Sequence, residues 1–123
     1  MSDNGKTTIV VMWTVGQDEV AEGDRIFESH VQFMKDHPRE GDEELISYKI
    51  SKGPELENPL DPNAPPTGNT IFVLTEVYAT PAGVSNHWKL AIDQWKDLPA
   101  FMEWSGRASV QTLHSGTVVQ ALW

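Results

Sequence analysis

The chemistry open to this chain starts with its four histidines, since an imidazole is the side chain that exchanges a proton near neutral pH without help. His87 closes the stretch Thr75-Glu-Val-Tyr-Ala-Thr-Pro-Ala-Gly-Val-Ser-Asn-His87. That stretch reads as the end of a strand, a turn at Ala79-Thr80 and a helix entered at Pro81. Thr80 is a fitting N-cap, and Pro81 suits the first helical position because no N–H is needed there. His87 then stands one to two turns into a helix, where an imidazole at a pocket edge can remove or return a proton. The plainer alternative is a histidine that bonds a backbone carbonyl. His30 falls inside an apolar helical stripe, and an imidazole buried there needs a partner, most simply a Tyr or Glu. His37 precedes Pro38 at a helix end and suits the helix dipole. His114, near a turn in the last strand, is expected to be exposed or at a subunit seam.

Around these lie residues that could hold a substrate. Tyr48 can donate to a phenolate or carbonyl oxygen, or simply pack its ring. Glu76, within an apolar strand, is costly if buried without a partner; a carboxylate there more often pairs with Arg or a backbone N–H than acts as a base. The catalytic candidates are therefore His87, His30 and Tyr48. Trp13, Glu76, Tyr78, Asn86, Trp88 and Trp104 are the candidates for substrate contact, the tryptophans being equally able to serve as core. Asn86 could orient a substrate oxygen or face solvent. No metal site is expected, because there is no His-x-x-x-His pair and no cysteine. No phosphate loop, dinucleotide fingerprint or nucleophile elbow is present either, so no cofactor is expected.

The elements that must position these residues follow from periodicity. Thr7 to Val15 (TTIVVMWTV) is nearly continuous apolar and β-branched, a strand. From about Glu19 to Asp36 the period becomes helical, with Ile26, Phe27, His30, Val31, Met34 and His37 on one stripe. Glu44 to Ser51 alternates as a second strand, with Leu45, Ser47 and Lys49 on one side and Ile46, Tyr48 and Ile50 on the other. Lys52 to Asn69, rich in proline and asparagine, is expected to be a long irregular loop. Thr70 to Tyr78 is a third strand. The helix from Pro81 to about Lys96 carries Val84, Trp88, Ala91 and Trp95 on one stripe. Pro99 to Trp104 makes a short helical piece with Phe101 and Met102 turned inward. Ala108 to Trp123 is strand-like, with a turn or bulge at Ser115-Gly116 and Thr117 to Leu122 as its expected pairing segment.

A β-α-β-β-α-β order predicts an α+β ferredoxin-like fold, a four-stranded antiparallel sheet with helices on one face, formed by residues 1–123 as a single domain. Strands Thr8–Val15 and Ile71–Val77 are apolar on both sides, so the second sheet face needs a cover. Another copy of the sheet supplies one at no cost in new elements, which predicts a homodimer. The formal net charge of −9, from 9 Lys plus Arg against 18 Asp plus Glu, argues against nucleic acid and anionic membrane as partners, since both need a basic face. Without a signal peptide or an apolar span at its start, the chain is expected to be cytoplasmic.

The segment Phe72 to His87 resembles the strand-to-helix junction of the antibiotic biosynthesis monooxygenase (ABM) family of the dimeric α/β-barrel superfamily. Pro38-Arg-Glu-Gly41 followed by Tyr48 is similar to that family's turn before its second strand. Together these cover roughly Val31 to Trp95. The chain departs from the family pattern in its Pro-rich segment after the second strand and in Trp88-Lys-Leu-Ala after the helix histidine. The resemblance implies cofactor-independent oxygenation of a small aromatic or polyketide-like substrate, with His and Tyr as acid and base. It equally allows a non-oxidative cyclisation, hydrolysis or proton transfer in the same pocket, or a dimeric binding protein without turnover. Haem-handling relatives place an Asn on the first strand; Thr7 and Thr8 stand there instead, which counts against haem.

Overall fold

The computed structural model describes residues 2–123. Its elements are β1 (Thr7–Val15), a 3₁₀ turn (Gln17–Glu19), α1 (Val20–Met34), β2 (Leu45–Leu56), β3 (Pro66–Tyr78), α2 (Pro81–Gln94), α3 (Leu98–Gly106) and β4 (Ser109–Thr117). The strands form one antiparallel sheet in the order β2-β3-β1-β4, as the ferredoxin-like pattern requires. Among the described residues no helix is long and apolar enough to cross a membrane.

Strand alternation sorts the core. Ile9, Val11, Trp13 and Val15 of β1 are buried under the helices, and so are Phe72, Leu74, Glu76 and Tyr78 of β3. Their neighbours Val10, Met12, Val73 and Thr75 point to the other, uncovered face, as the period of two dictates. The helix side is filled by aromatic rings. Trp13 packs on Phe27 at 5.0 Å between centroids, Phe27 on Phe72 at 5.5 Å, and Trp104 on both Phe27 and Phe72. Close approach of α1 to this cluster depends on Gly23, where a Cβ would meet Trp104 at 2.7 Å and Phe72 at 2.8 Å.

Several boundaries differ from the sequence expectation, each for a physical reason. The segment from Lys52 to Asn69 is mostly not a loop: β2 continues to Leu56 and β3 begins at Pro66, making a long two-stranded arm. Pro54 is tolerated because β2 is an edge strand, where a missing N–H breaks no sheet bond on the outer side. Thr67 Oγ1 and Asn69 Nδ2 both donate to Glu55 Oε1, at 2.8 and 3.1 Å, which ties the arm across its width. A register shift between Leu45 and Ser47 puts Leu45 on the inner face with Tyr48 and Ile50, so the simple alternation expected there fails at its first step. The helix expected over Glu19 to Asp36 is shorter, because a 3₁₀ turn precedes it and the chain tightens after Met34 to reach Pro38. Likewise α2 ends at Gln94, and Trp95 is already extended. Met102 is 58% exposed instead of turned inward, because α3 rolls Trp104 and Phe101 toward the core. Pairing in β4 falls on Ser109–Thr117 and not on Thr117 to Leu122, with a register shift opposite Thr8 and Val10 where Ser115-Gly116 had marked an irregularity.

Candidate functional site

Three elements converge on one buried polar cluster. His30 comes from α1, Glu76 from β3 and His87 from α2, and one potential ligand atom of each lies within 4.8 Å of the others. The sheet register explains part of this. Tyr48 on β2 sits directly opposite Glu76 on β3, and Tyr78 follows two residues later on the same face. The hydroxyl of Tyr78 donates to Glu76 Oε1 at 2.5 Å, while Glu76 Oε2 has no partner among the described residues although the side chain is fully buried. The Tyr48 hydroxyl and His30 Nδ1 share a hydrogen bond at 2.8 Å. His87 Nε2 lies 3.9 Å from Glu76 Oε1, and its other nitrogen is 2.9 Å from His37 Nε2.

The local sequence builds each position. Thr80 caps α2 by accepting from the Ala82 N–H at 3.1 Å, and its own hydroxyl donates to the Asp42 carbonyl at 2.8 Å. Gly83 then lets the first turn of α2 lie against the Tyr78 ring, which carries His87 down onto Glu76. His37 stands just past the end of α1, where Leu45 N–H bonds the Pro38 carbonyl and turns the chain back into β2.

His30 and His87 border an apolar cavity of about 250 Å³ between the sheet and the three helices. Trp13, Trp88, Phe101 and His114 are among its walls, with His114 and Trp88 paired at 5.8 Å. Trp13 is held in place by donating its Nε1–H to Ser105 Oγ at 3.0 Å. Glu76, Tyr48 and His37 lie behind the two histidines and outside the cavity wall. A larger groove of about 550 Å³ runs between α1 and the α2–α3 junction, past Arg25, Gln32 and Asp97. It is open, lined largely by charged and polar residues, and touches none of the clustered groups, so the smaller cavity is the better candidate.

Burial inverts the usual order of proton affinity here. His87 is held down to about 3, first by burial and then by the neighbouring His30 and His37. His30 is likewise held down to about 3, mainly by burial and further by His37. Burial also lowers His37, with the Met34 and Phe33 carbonyls pulling the other way. Glu76 is pushed up to about 7 by burial, opposed by the Tyr78 hydrogen bond. Burial raises both Tyr48 and Tyr78, so neither hydroxyl ionises near neutral pH. At neutral pH the histidines are therefore neutral, and the carboxyl is the group of the cluster that exchanges a proton there.

The structure thus brings His87, His30, Tyr48, Glu76 and Tyr78 into one network and sets Trp13 and Trp88 on the cavity wall. Asn86 is half-buried on α2 and does not border the cavity. Trp104 is fully buried in the core and donates Nε1–H to the Glu19 carbonyl at 3.0 Å, so it packs beneath the site without reaching it. Among the described residues Glu76 pairs with neither an Arg nor a backbone N–H but with the Tyr78 hydroxyl, and His87 Nε2 stands 3.9 Å away. His37, expected only to favour a helix dipole, is instead the partner of His87. Its place on the apolar stripe with His30 and Met34 was the signal. Motif spacing showed no metal-ligand set because the three clustered groups come from separate elements.

No protein-family model and no curated protein matches the chain. Among solved structures it is similar to a dimeric ferredoxin-like protein from an uncultured marine organism, at 17% identity, over 97% of this chain and 100% of that one, with a TM-score of 0.63. A de novo designed protein, Foldit4, matches at 10% identity over 91% of this chain and 97% of that chain, with a TM-score of 0.49. Identity this low speaks to architecture alone, and with the observed topology it makes this chain a ferredoxin-like α+β protein.

Proposed function

We propose that the chain is a small enzyme of the ABM type that takes a proton from a flat aromatic substrate held in the cavity. The observation that carries this is the placement of His30 and His87 together on the wall of one apolar cavity, with a buried carboxyl 3.9 Å behind His87. Neutral His87 is the base, and Glu76 receives or returns the proton from behind. His30, tied to Tyr48, bonds the oxygen on which negative charge develops. At about 250 Å³ the cavity is somewhat below the ~300–1,000 Å³ typical of drug-sized ligands, which favours a one- or two-ring substrate.

A phenolic or anthrone-like substrate deprotonated in such a site can itself reduce dioxygen. A ring CH₂ or CH then becomes C=O, one oxygen atom enters the product and the other leaves as water, and the substrate supplies the electrons. No cofactor is needed for that balance, which agrees with the resemblance around Phe72 to His87. The test is oxygen uptake with 1-naphthol and with the larger anthrone. Uptake of one O₂ per quinone without release of hydrogen peroxide, faster for the two-ring compound, supports oxygenation. Product without uptake assigns the non-oxidative proton transfer instead, and neither uptake nor product overturns the enzymatic reading.

The uncovered sheet face supports a homodimer. Val10 and Leu113 are register partners on that face, as are Met12 and Val73, and Met12 and Leu113 are 37% and 52% exposed. The dimeric state of the similar marine protein agrees with a second copy as cover.

A further inference from the structure

We propose that His30, Glu76 and His87 form a binding site for one divalent transition-metal cation per chain, of the Zn²⁺ or Fe²⁺ class. Two imidazole nitrogens and a carboxylate are a donor set for such ions, and three protein ligands leave positions open for water or a substrate oxygen. Several features bear on the cluster independently of its composition. All three side chains are buried, from 0% exposed for Glu76 to 4% for each histidine, so this is not a solvated acidic patch. Glu76 Oε2 is left without a partner, an expensive condition for a buried carboxylate and one that a cation relieves. The outer nitrogens of both histidines are already engaged: His30 Nδ1 with Tyr48, His87 Nδ1 with His37. That anchoring fixes the rings and leaves each Nε2 for the ion, as second-layer partners do in metal sites. The two histidines also border the cavity, so the open coordination positions face it.

Ligand atoms at about 2.0–2.2 Å from a tetrahedral centre stand about 3.4 Å from one another. The cluster, whose atoms lie within 4.8 Å, therefore draws in by at most about 1.4 Å on binding, a change that side-chain rotations supply. The inference does not rest on the proton-transfer reading. A cation occupies the same lone pairs as the proton, so the two describe the metal-loaded and the metal-free cluster.

The test is titration of chelator-treated protein with ZnCl₂ by calorimetry and with CoCl₂ by visible absorption, without substrate. The expected result is one equivalent per chain and intense Co²⁺ bands of a low-coordinate nitrogen–oxygen site. Glu76→Gln and His87→Gln, checked for folding by circular dichroism, are expected to bind at least a hundredfold more weakly. Where either variant fails to fold, Tyr48→Phe decides, since it removes one hydroxyl outside the ligand set. About tenfold weaker binding supports the site, and unchanged binding overturns it. Absence of saturable binding in the unaltered chain overturns the proposal, as does equal binding by folded Glu76→Gln, which would assign the ion to surface carboxylates. Either failure leaves the oxygen-uptake assay to decide the proton-transfer reading separately.

Discussion

His37 Nε2 lies 2.9 Å from His87 Nδ1, a buried contact between the turn after α1 and the middle of α2. Through it His37 holds the His87 ring at one angle and decides which of its nitrogens carries hydrogen. Replacing His37 by Ala leaves His87 Nδ1 buried and unpaired, at a cost of about 1–3 kcal/mol. The expected result is a lower urea midpoint together with a fall in kcat that a merely structural change elsewhere, such as Gly23→Ala, does not match at equal stability loss. Unchanged turnover in folded His37→Ala would remove His37 from the site.

His87→Ala tests the base itself. A positioned general base contributes roughly 10²–10⁴ in rate, so a loss of that size in kcat is expected on 1-naphthol, with little change in apparent substrate affinity. A variant within threefold of the unaltered chain would transfer the role to His30 or Glu76.

Glu76 makes stability depend on pH in a direction opposite to that of an ordinary salt-bridged carboxylate. Its folded-state pKa is raised from 4.5 to about 7, so the folded state holds a proton that the unfolded chain has released. The stability this contributes is fully present below 4.5 and is lost as pH rises through about 7. The shift corresponds to about 3 kcal/mol as an order of magnitude. Relative to Glu76→Gln, the unaltered chain in chelator should therefore weaken between pH 4.5 and 7, as read by urea unfolding. His30 and His87, with lowered pKa values, act the other way and destabilise the fold as pH falls from 6.5 toward 3. A difference between the chain and Glu76→Gln that is flat across pH 4.5–7 would mean that the carboxyl is not perturbed.

Gly83→Ala probes how the junction between β3 and α2 sets the site. A Cβ there would meet Tyr78 Cδ1 at 2.5 Å, so either the helix or the ring must move. Crowding of this kind costs about 1–3 kcal/mol. Because Tyr78 holds Glu76, the substitution should also weaken metal binding or turnover beyond what the lost stability explains, measured at a temperature where the variant stays folded.

The strand-to-helix junction and the ferredoxin-like order were legible because β-branched runs and a Thr-Pro cap act locally. The two-stranded arm was not, since Pro54, Pro66 and Gly68 look like loop composition until β2 is known to be an edge strand. The pairing of His30 with Tyr48 was foreseeable as a type of partner, though not as a specific one. The apolar stripe marked His37 as inward-facing, but that it meets His87 was not legible, because that depends on how far α1 and α2 lean together. The same holds for Glu76: its cost in an apolar strand was evident, but which groups meet it follows from the packing of α2 on Tyr78.

The uncovered sheet face gives the test of assembly. Met12 stands opposite Val73 across β1 and β3, with Val10 opposite Leu113 on the other side of β1. Met12→Lys or Val73→Asp places a charge where a second sheet would close. In a lone chain Met12 is already partly solvated, so Met12→Lys should change monomer stability by no more than about 0.5 kcal/mol. In a dimer the same charge is desolvated and unpaired, which costs several times as much and drives dissociation. Light scattering coupled to size exclusion should show a dimer for the unaltered chain and a monomer for Met12→Lys at equal concentration. A monomeric unaltered chain would mean that this face is solvated as it stands. A dimeric Met12→Lys would place the contact elsewhere, the exposed Val119, Leu122 and Trp123 beyond β4 being the next apolar surface to test.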